Sequence, residues 1–173
     1  MNKIPSVVFL ITFWFLLGKN LHAQYKNSIS LGVCNERYHA ASGSHARLYL
    51  NFTDNFRFNV EFTRFFDVSQ KNATVTNTYL TREINTNIQY EILFGEHFGF
   101  YPILGFNYTF GREEVNDKGV ITEKFKEELG LNFGGGFSYR IGRFTPYLES
   151  RGVVSNNAFV IHSFGLQYSF GKR

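Results

Sequence analysis

Two pairs of adjacent His and Ser residues have side chains that could carry out nucleophilic catalysis. Ser44 precedes His45, and Ser163 follows His162. A serine hydrolase needs the imidazole within hydrogen-bond reach of the hydroxyl, with an acid that orients the ring. Both pairs lie in alternating segments typical of β-strands, where neighbouring side chains project to opposite faces. The sequence therefore predicts that neither pair forms a dyad and that the protein is not an enzyme.

Charged residues at alternate positions form the second candidate group. In His45 to Thr53, for example, Arg47 and Tyr49 alternate with leucine and alanine. If such strands close into a barrel, charges of both signs meet in a narrow interior, where they must be paired or hydrated. A salt-bridge plug and an ion path are the two interpretations. The predicted lumen charge network comprises Arg47, Arg57, Glu61, Glu83, Glu128, Arg140, Glu149 and Arg151.

Metal and cofactor chemistry finds little support in the sequence. The histidines show no spacing typical of metal ligands. Glu113, Glu114 and Asp117 lie in one segment and could hold a divalent cation, although a solvated loop is the simpler interpretation. Cys34 is the single cysteine, so the chain cannot form an internal disulfide. No metal site and no cofactor are predicted.

The N-terminus predicts export. Lys3 supplies a positive charge, residues 7–17 form an apolar run, and Ala23 offers a small residue before a cleavage site. These are the parts of a secretory signal peptide, and the run is too short to span a membrane comfortably as a helix. We therefore predict a signal peptide at residues 1–23 and one barrel domain at residues 24–173.

Charge excludes one class of partner. The chain has 18 Lys and Arg residues against 14 Asp and Glu residues. Loss of Lys3 and Lys19 with the signal peptide reduces the net charge to about +2, spread along the chain. Nucleic-acid binding requires a concentrated basic patch, which this distribution does not supply.

Alternating polar and apolar residues predict an all-β fold. Connections near residues 54, 95 and 142 are short, and those near residues 36–44, 67–77, 112–122 and 154–158 are longer and polar. Short turns that alternate with longer loops are typical of transmembrane barrels with periplasmic termini. An eight-stranded interior is too small for the chain's many aromatic side chains, so many should face lipid. Eight segments are predicted to form an antiparallel up-and-down transmembrane β-barrel: residues 28–35, 45–53, 56–65, 78–92, 98–111, 123–141, 144–153 and 159–170.

The last segment carries the most specific motif. Ser163, Gly165, Tyr168 and Phe170 follow a polar-x-Gly-x-x-hydrophobic-x-hydrophobic pattern, with three residues after it. The chain resembles the small eight-stranded bacterial outer-membrane β-barrels of the OmpA/OmpX type, and more specifically the outer membrane protein beta-barrel domain family. This closing pattern resembles the assembly signal of such proteins. Residues 143–151 also resemble a common seventh-strand pattern of the family.

The resemblance implies a location and a set of partners. We expect a monomer in the bacterial outer membrane, in contact with outer-membrane lipids and lipopolysaccharide and inserted by the barrel-assembly machinery. The expected role is structural or a loop-mediated interaction or adhesion, with a polar, plugged lumen. A narrow, porin-like pore for small solutes or ions is the first alternative. A soluble periplasmic, lipocalin-like ligand-binding barrel is the second.

Overall fold

A computed structural model describes residues 27–37, 41–53, 55–72, 75–117 and 120–170. The predicted signal peptide lies outside these residues and stays a prediction. No helix among them has the length and apolar character needed to cross a membrane. The strand segments are β1 (Ser28–Glu36), β2 (Ala41–Asn51), β3 (Phe56–Phe65), β4 (Val68–Asn72), β5 (Val75–Tyr90), β6 (Ile92–Phe94), β7 (Phe98–Asp117), β8 (Val120–Tyr139), β9 (Phe144–Val154) and β10 (Phe159–Ser169).

These ten segments build eight barrel strands. β4 continues β3 along the same edge of β5, after a break at residues 66–67. β6 likewise continues β5 along one edge of β7, after a break at Glu91. Every neighbouring pair is antiparallel, and β1 pairs with β10 from Ser28↔Ser169 to Glu36↔Ile161, which closes the ring. The predicted eight-stranded antiparallel up-and-down barrel is confirmed.

The two faces of the barrel differ in polarity as the alternating pattern requires. Inward-facing Asn59, Glu83 and Asn132 are fully buried. Outward-facing Leu31 and Phe106 are exposed by 68% and 67%. We call the outward apolar surface the apolar belt, which includes Leu31, Leu48, Val60, Phe62, Ile84, Ile88, Leu104, Phe106, Leu131, Phe133, Leu148, Phe164 and Leu166.

Short turns lie at one end of the barrel, where they were predicted. Two of them contain Gly95 and Gly142, whose φ angles of 71° and 60° favour glycine. The second of these turns is tight, because Ile141 N donates to Phe144 O at 2.7 Å. Phe170 N donates to Asn27 O at 2.9 Å, so both ends of the barrel sheet lie on this side.

The opposite end differs from the sequence prediction. Residues 67–77 and 112–122 were expected to be loops, and this expectation is wrong. β7 and β8 stay paired as far as Asp117↔Val120, and β5 follows β7 out to Val75. The polar composition suggested a loop, but charges across these strands pair with each other, as Arg112 does with Glu123 and Lys126 with Glu113. We call residues 68–72, 75–81, 111–117 and 120–130 the projecting sheet.

β2 also begins earlier than predicted. Ala41 pairs with Glu36, so the connection expected at residues 36–44 is short. Small polar residues at the start of β2 resemble a loop in composition, but they complete the ladder with β1. This correction leaves the inward and outward assignment of His45 and Arg47 unchanged.

Candidate functional site

The centre of the lumen holds a cluster of ion pairs built by three strands. β2 and β3 place Arg47 and Glu61 as register partners, and Arg47 Nε donates to Glu61. Glu149 of β9 accepts from Arg47 Nη1 and Nη2 at 2.7 and 2.8 Å, a bidentate contact. All three residues are almost completely buried. The geometry and charge of each group therefore depend on the others.

Arg151 extends this cluster across the barrel. Its Nη2 donates to Glu61 Oε1 at 2.9 Å and lies 3.6 Å from Glu83 Oε2. Its Nη1 lies 3.9 Å from Glu149 Oε1. We call Arg47, Glu61, Glu83, Glu149 and Arg151 the central network. Two guanidinium groups and three carboxyl groups share this space.

Asparagine amides surround the acidic members of the central network. Asn85 Nδ2 donates to Glu61 Oε1 at 3.0 Å and to Glu83 Oε2 at 3.2 Å. Asn107 and Asn132 in turn donate to Asn85 Oδ1 at 2.8 and 2.9 Å. The predicted network omitted these neutral residues because it was built from charge alone. These asparagines alternate with apolar neighbours, and this pattern could have identified them as lumen residues.

A second cluster lies toward the short turns. Arg57 Nε donates to Gln89 Oε1 at 2.7 Å, and Arg57 Nη1 lies 3.9 Å from Glu91 Oε1. Arg140 donates to Glu91, and Ser138 Oγ donates to the same carboxylate at 2.7 Å. The structure thus separates Arg57 and Arg140 from the central network. Glu91 was missing from the predicted set, although it shares the strand face of Gln89.

Glu128 belongs to neither cluster. It is half-buried, and its Oε1 accepts from Asn157 N at 3.1 Å. Its side chain points inward because alternate residues of a β-strand face the lumen. However, β8 continues far beyond the lumen, so Glu128 lies at the rim near the projecting sheet.

Tyrosine rings fill the lumen between the charges. The guanidinium carbon of Arg57 lies 4.6 Å from the centre of the Tyr101 ring. A Cβ atom placed on Gly136 would lie 2.6 Å from Tyr101 Oη, and one on Gly165 would lie 2.6 Å from Tyr147 Cζ. These inward glycines give space to tyrosines, as contacts this close exclude a larger side chain.

An apolar layer and a pocket lie between the central network and the projecting sheet. The buried members of this layer are Cys34, Ala41, Phe65, Val153 and Ile161. A pocket of about 620 Å³ adjoins the layer and extends between residues of the projecting sheet. This layer thus places apolar side chains inside the barrel, where the sequence predicted mainly polar contacts, although buried Glu36 pairs with Ala41 and Ile161 at the same level.

The residues considered for catalysis are separated by the sheet. Ser44 is exposed on the outer face, whereas His45 is buried and its Nε2 lies 2.7 Å from Tyr147 Oη. Ser163 faces the lumen, and its neighbour His162 faces outward. Neither pair forms a dyad.

The acidic segment is occupied by ion pairs. Lys126 Nζ lies 2.8 Å from Glu113 Oε2, and Arg112 Nη2 lies 2.6 Å from Glu114 Oε1. The hydrogen bond from Lys126 lowers the pKa of Glu113 below its usual value. Across the described ranges, no group of three or more His, Cys, Asp or Glu residues is arranged to hold a metal ion.

The four residues of the predicted assembly signal divide between the two faces. Ser163 and Gly165 face the lumen and are buried. The ring centre of Tyr168 lies 5.3 Å from that of Phe144 and 5.4 Å from that of Phe170. The motif therefore ends in an aromatic group on the outer surface, near the short turns.

The comparisons with known proteins give structural likeness alone. No family model matches this chain, and no curated protein matches it. Ail, the attachment invasion locus protein of Yersinia pestis, is 14% identical with a TM-score of 0.63, covering 86% of this chain and 100% of that one. The N-terminal β-barrel domain of Pseudomonas aeruginosa OprF is 15% identical with a TM-score of 0.63, covering 85% and 100%.

A third solved structure shows the same likeness. A major outer membrane protein from Thermus thermophilus is 11% identical with a TM-score of 0.65, covering 86% of this chain and 100% of that one. At such low identity the shared property is the fold. The chain therefore has the eight-stranded barrel fold of the small bacterial outer-membrane proteins.

Proposed function

We propose that this protein is an outer-membrane barrel with a closed lumen that presents the projecting sheet at the cell surface as an interaction site. The apolar belt supports the membrane location, because a lipid-facing surface must be apolar while the interior stays polar. A soluble lipocalin-like barrel would need the reverse arrangement in order to bury its apolar face. The short turns and both sheet ends would then face the periplasm.

The contact between Arg151 and Glu61 carries the proposal of a closed lumen. β9 and β3 are four strands apart in either direction around an eight-stranded ring, so this 2.9 Å hydrogen bond spans the diameter. Arg47 and Glu149 add a second link at the same level. Side chains normally fill an eight-stranded barrel, and charged ones do so best when paired.

Planar-bilayer recording tests the closed lumen. The full-length mature protein should give no stable open channel and, at most, small transient currents. The Arg57→Gln variant is a suitable comparison, because Arg57 lies outside the central network. Steady ion-selective current from the unmodified protein, lost in Glu61→Gln, would reject the plug.

One observation favours the alternative of a narrow pore. Several buried polar atoms in the lumen have no hydrogen-bond partner among the described residues, including Arg151 Nη1, Asn132 Oδ1 and Gln89 Nε2. Buried polar atoms of this kind are often satisfied by water. A file of water molecules past the central network would support slow permeation of ions. The same recordings would detect it as a small current.

Free strand edges support an interaction role for the projecting sheet. β8 pairs with β9 only from Leu131 onward, so residues 120–130 have no partner strand on that edge among the described residues. An exposed edge presents backbone donors and acceptors to another chain, which can add a strand. The similar protein Ail is named as an attachment invasion locus protein. For this chain we propose only that the projecting sheet has an interaction role.

A shortened hairpin tests this role. Replacing residues 111–126 by Asn-Gly would join the register partners Phe110 and Glu127 through a two-residue turn, remove most of the free edge of β8 and leave the barrel intact. Cells that display this variant should adhere less to a surface than cells that display the complete protein at equal amounts. Equal adhesion would contradict an interaction role for the projecting sheet. Heat-dependent mobility in detergent would verify that both barrels are folded.

A further inference from the structure

Two arginines lie directly opposite each other on the outer face of the barrel. Arg64 of β3 is the register partner of Arg82 of β5, and both residues are exposed. Like charges that face each other across an antiparallel pair destabilise it. Within the described part of the chain, neither guanidinium forms an ion pair with a carboxylate. The two arginines therefore lack an anion that would offset their repulsion.

The arginine pair borders the apolar belt. The next outward residues toward the short turns are Phe62 and Ile84, exposed by 47% and 41%. On the other side of Arg64, Phe66 is also exposed. Two unpaired guanidinium groups thus lie within apolar surface, at the border between the belt and the projecting sheet. This is the depth at which a lipid headgroup meets its acyl chains.

A shallow pocket on the outer face adjoins Arg82. It has a volume of about 360 Å³ and is lined by Leu80, Phe110 and Phe125 together with polar side chains. Its apolar walls suit a hydrocarbon chain. Guanidinium groups bind phosphate through paired N–H donors, with a geometry that few other anions match as well.

The remaining charges of the pocket direct a phosphate toward Arg64. Arg112 is already compensated by Glu114 at 2.6 Å and Glu123 at 3.1 Å, and Lys126 by Glu113 at 2.8 Å. Glu127 lines the same pocket on the β8 side and would repel an anion there. The position between Arg64 and Arg82 is therefore the one where positive charge is uncompensated.

We propose that Arg64 and Arg82 together bind the phosphate group of a membrane lipid whose acyl chains lie along the apolar belt and the adjoining pocket. This inference rests on the proposed membrane location and assigns a lipid chemistry to one side of the barrel. One bridging phosphate would accept hydrogen bonds from both guanidinium groups and remove their mutual repulsion.

Lipid binding measures the preference of the arginine pair for a lipid with an exposed phosphate group. The refolded mature protein in neutral detergent is mixed with phosphatidic acid or with phosphatidylcholine of the same acyl chains, and bound lipid is counted by native mass spectrometry. Phosphatidic acid should bind about tenfold more tightly, because its phosphate carries no choline group and can accept charge-assisted hydrogen bonds from both guanidinium groups. The Arg64→Gln/Arg82→Gln variant should lose this preference.

Two variants separate a phosphate site from general positive charge. Arg37→Gln removes an exposed arginine at the same end of the barrel and should keep the full preference. Arg64→Lys/Arg82→Lys retains both charges and should keep part of it. A similar loss in Arg37→Gln, or no preference in the unmodified protein, would overturn the proposal.

Inorganic phosphate distinguishes the lipid from its headgroup alone. It should compete weakly with phosphatidic acid, because it lacks the chains that occupy the apolar surface. Competition at equal concentration would overturn the lipid assignment. The experiment also separates this inference from the proposed function. A barrel that folds and inserts into vesicles but shows no preference for phosphatidic acid would refute the phosphate site and leave the proposed membrane location standing.

Discussion

Arg151 and Glu61 connect opposite walls of the barrel through one hydrogen bond of 2.9 Å, with both side chains only 1% exposed. Glu61 also accepts from Arg47, so one carboxylate holds two guanidinium groups. A hydrogen bond that spans the diameter supports the proposed closed lumen. We therefore expect Glu61 to contribute to the stability of the barrel.

Neutralising that carboxylate should destabilise the barrel. Glu61→Gln leaves Arg47 and Arg151 without their shared anion, and breaking a buried pair in this way costs about 3–5 kcal/mol. Urea unfolding of the protein in lipid vesicles measures the change. Glu96→Gln, at an exposed short turn, is the matched control and should change stability little. Equal stability of both variants would show that the central network is not a stabilising unit.

Charge on the apolar belt should impair membrane insertion. Leu104 lies in the middle of the barrel part of β7, residues 98–110, on the outer face and is 65% exposed. An arginine at the bilayer midplane of the lipid face costs about 2–4 kcal/mol, so Leu104→Arg should fold into vesicles less completely. Val120→Arg introduces the same side chain on the projecting sheet and should fold normally. Normal folding of Leu104→Arg would contradict the lipid-facing assignment.

The closing motif should act in assembly. Phe170→Ala removes the terminal aromatic residue of the predicted signal and should lower the amount of barrel in the outer membrane without blocking export. Immunoblots of periplasmic and outer-membrane fractions measure both. Phe125→Ala, which removes an exposed phenylalanine from the projecting sheet, serves as the control. Unchanged outer-membrane amounts for Phe170→Ala would argue against the motif as an assembly signal.

Acid should loosen the projecting sheet. The pKa of Glu113 is lowered by the hydrogen bond from Lys126, so this contact stabilises the fold above the unfolded-state pKa of a glutamate. Its contribution is lost as the pH falls below about 4, through the lowered folded-state pKa. After correction for the slower intrinsic hydrogen exchange of amides in acid, the protection factors of residues 111–117 should therefore be lower at acid pH. Because the pair is exposed, the effect should be small.

A variant isolates that contact from other titrating groups. Lys126→Met removes the ammonium group but keeps a long side chain. The protection factors of the same residues should then be lower at neutral pH and should fall less on acidification. If Lys126→Met exchanges like the unmodified protein at both pH values, the Glu113–Lys126 pair does not stabilise the projecting sheet.

Strand parity could be predicted from the sequence because the β-strand repeat is two residues. The alternation around Leu131 and Asn132 assigns one residue to the outside and the other to the lumen, as the structure has them. Closure into eight strands also followed from the number and spacing of such segments. The charges around residues 112–122 misled the prediction, since composition does not distinguish a solvated loop from a solvated strand pair.

The sequence by itself determined which side chains enter the lumen, and only the tertiary structure decided which of them meet. Parity gives the direction of a side chain but not its height along the barrel axis, which depends on strand register. Glu128 therefore points inward at the rim, away from the central network. Arg151 reaches Glu61 because the closed ring brings together two strands distant in sequence, a relationship that local periodicity cannot encode.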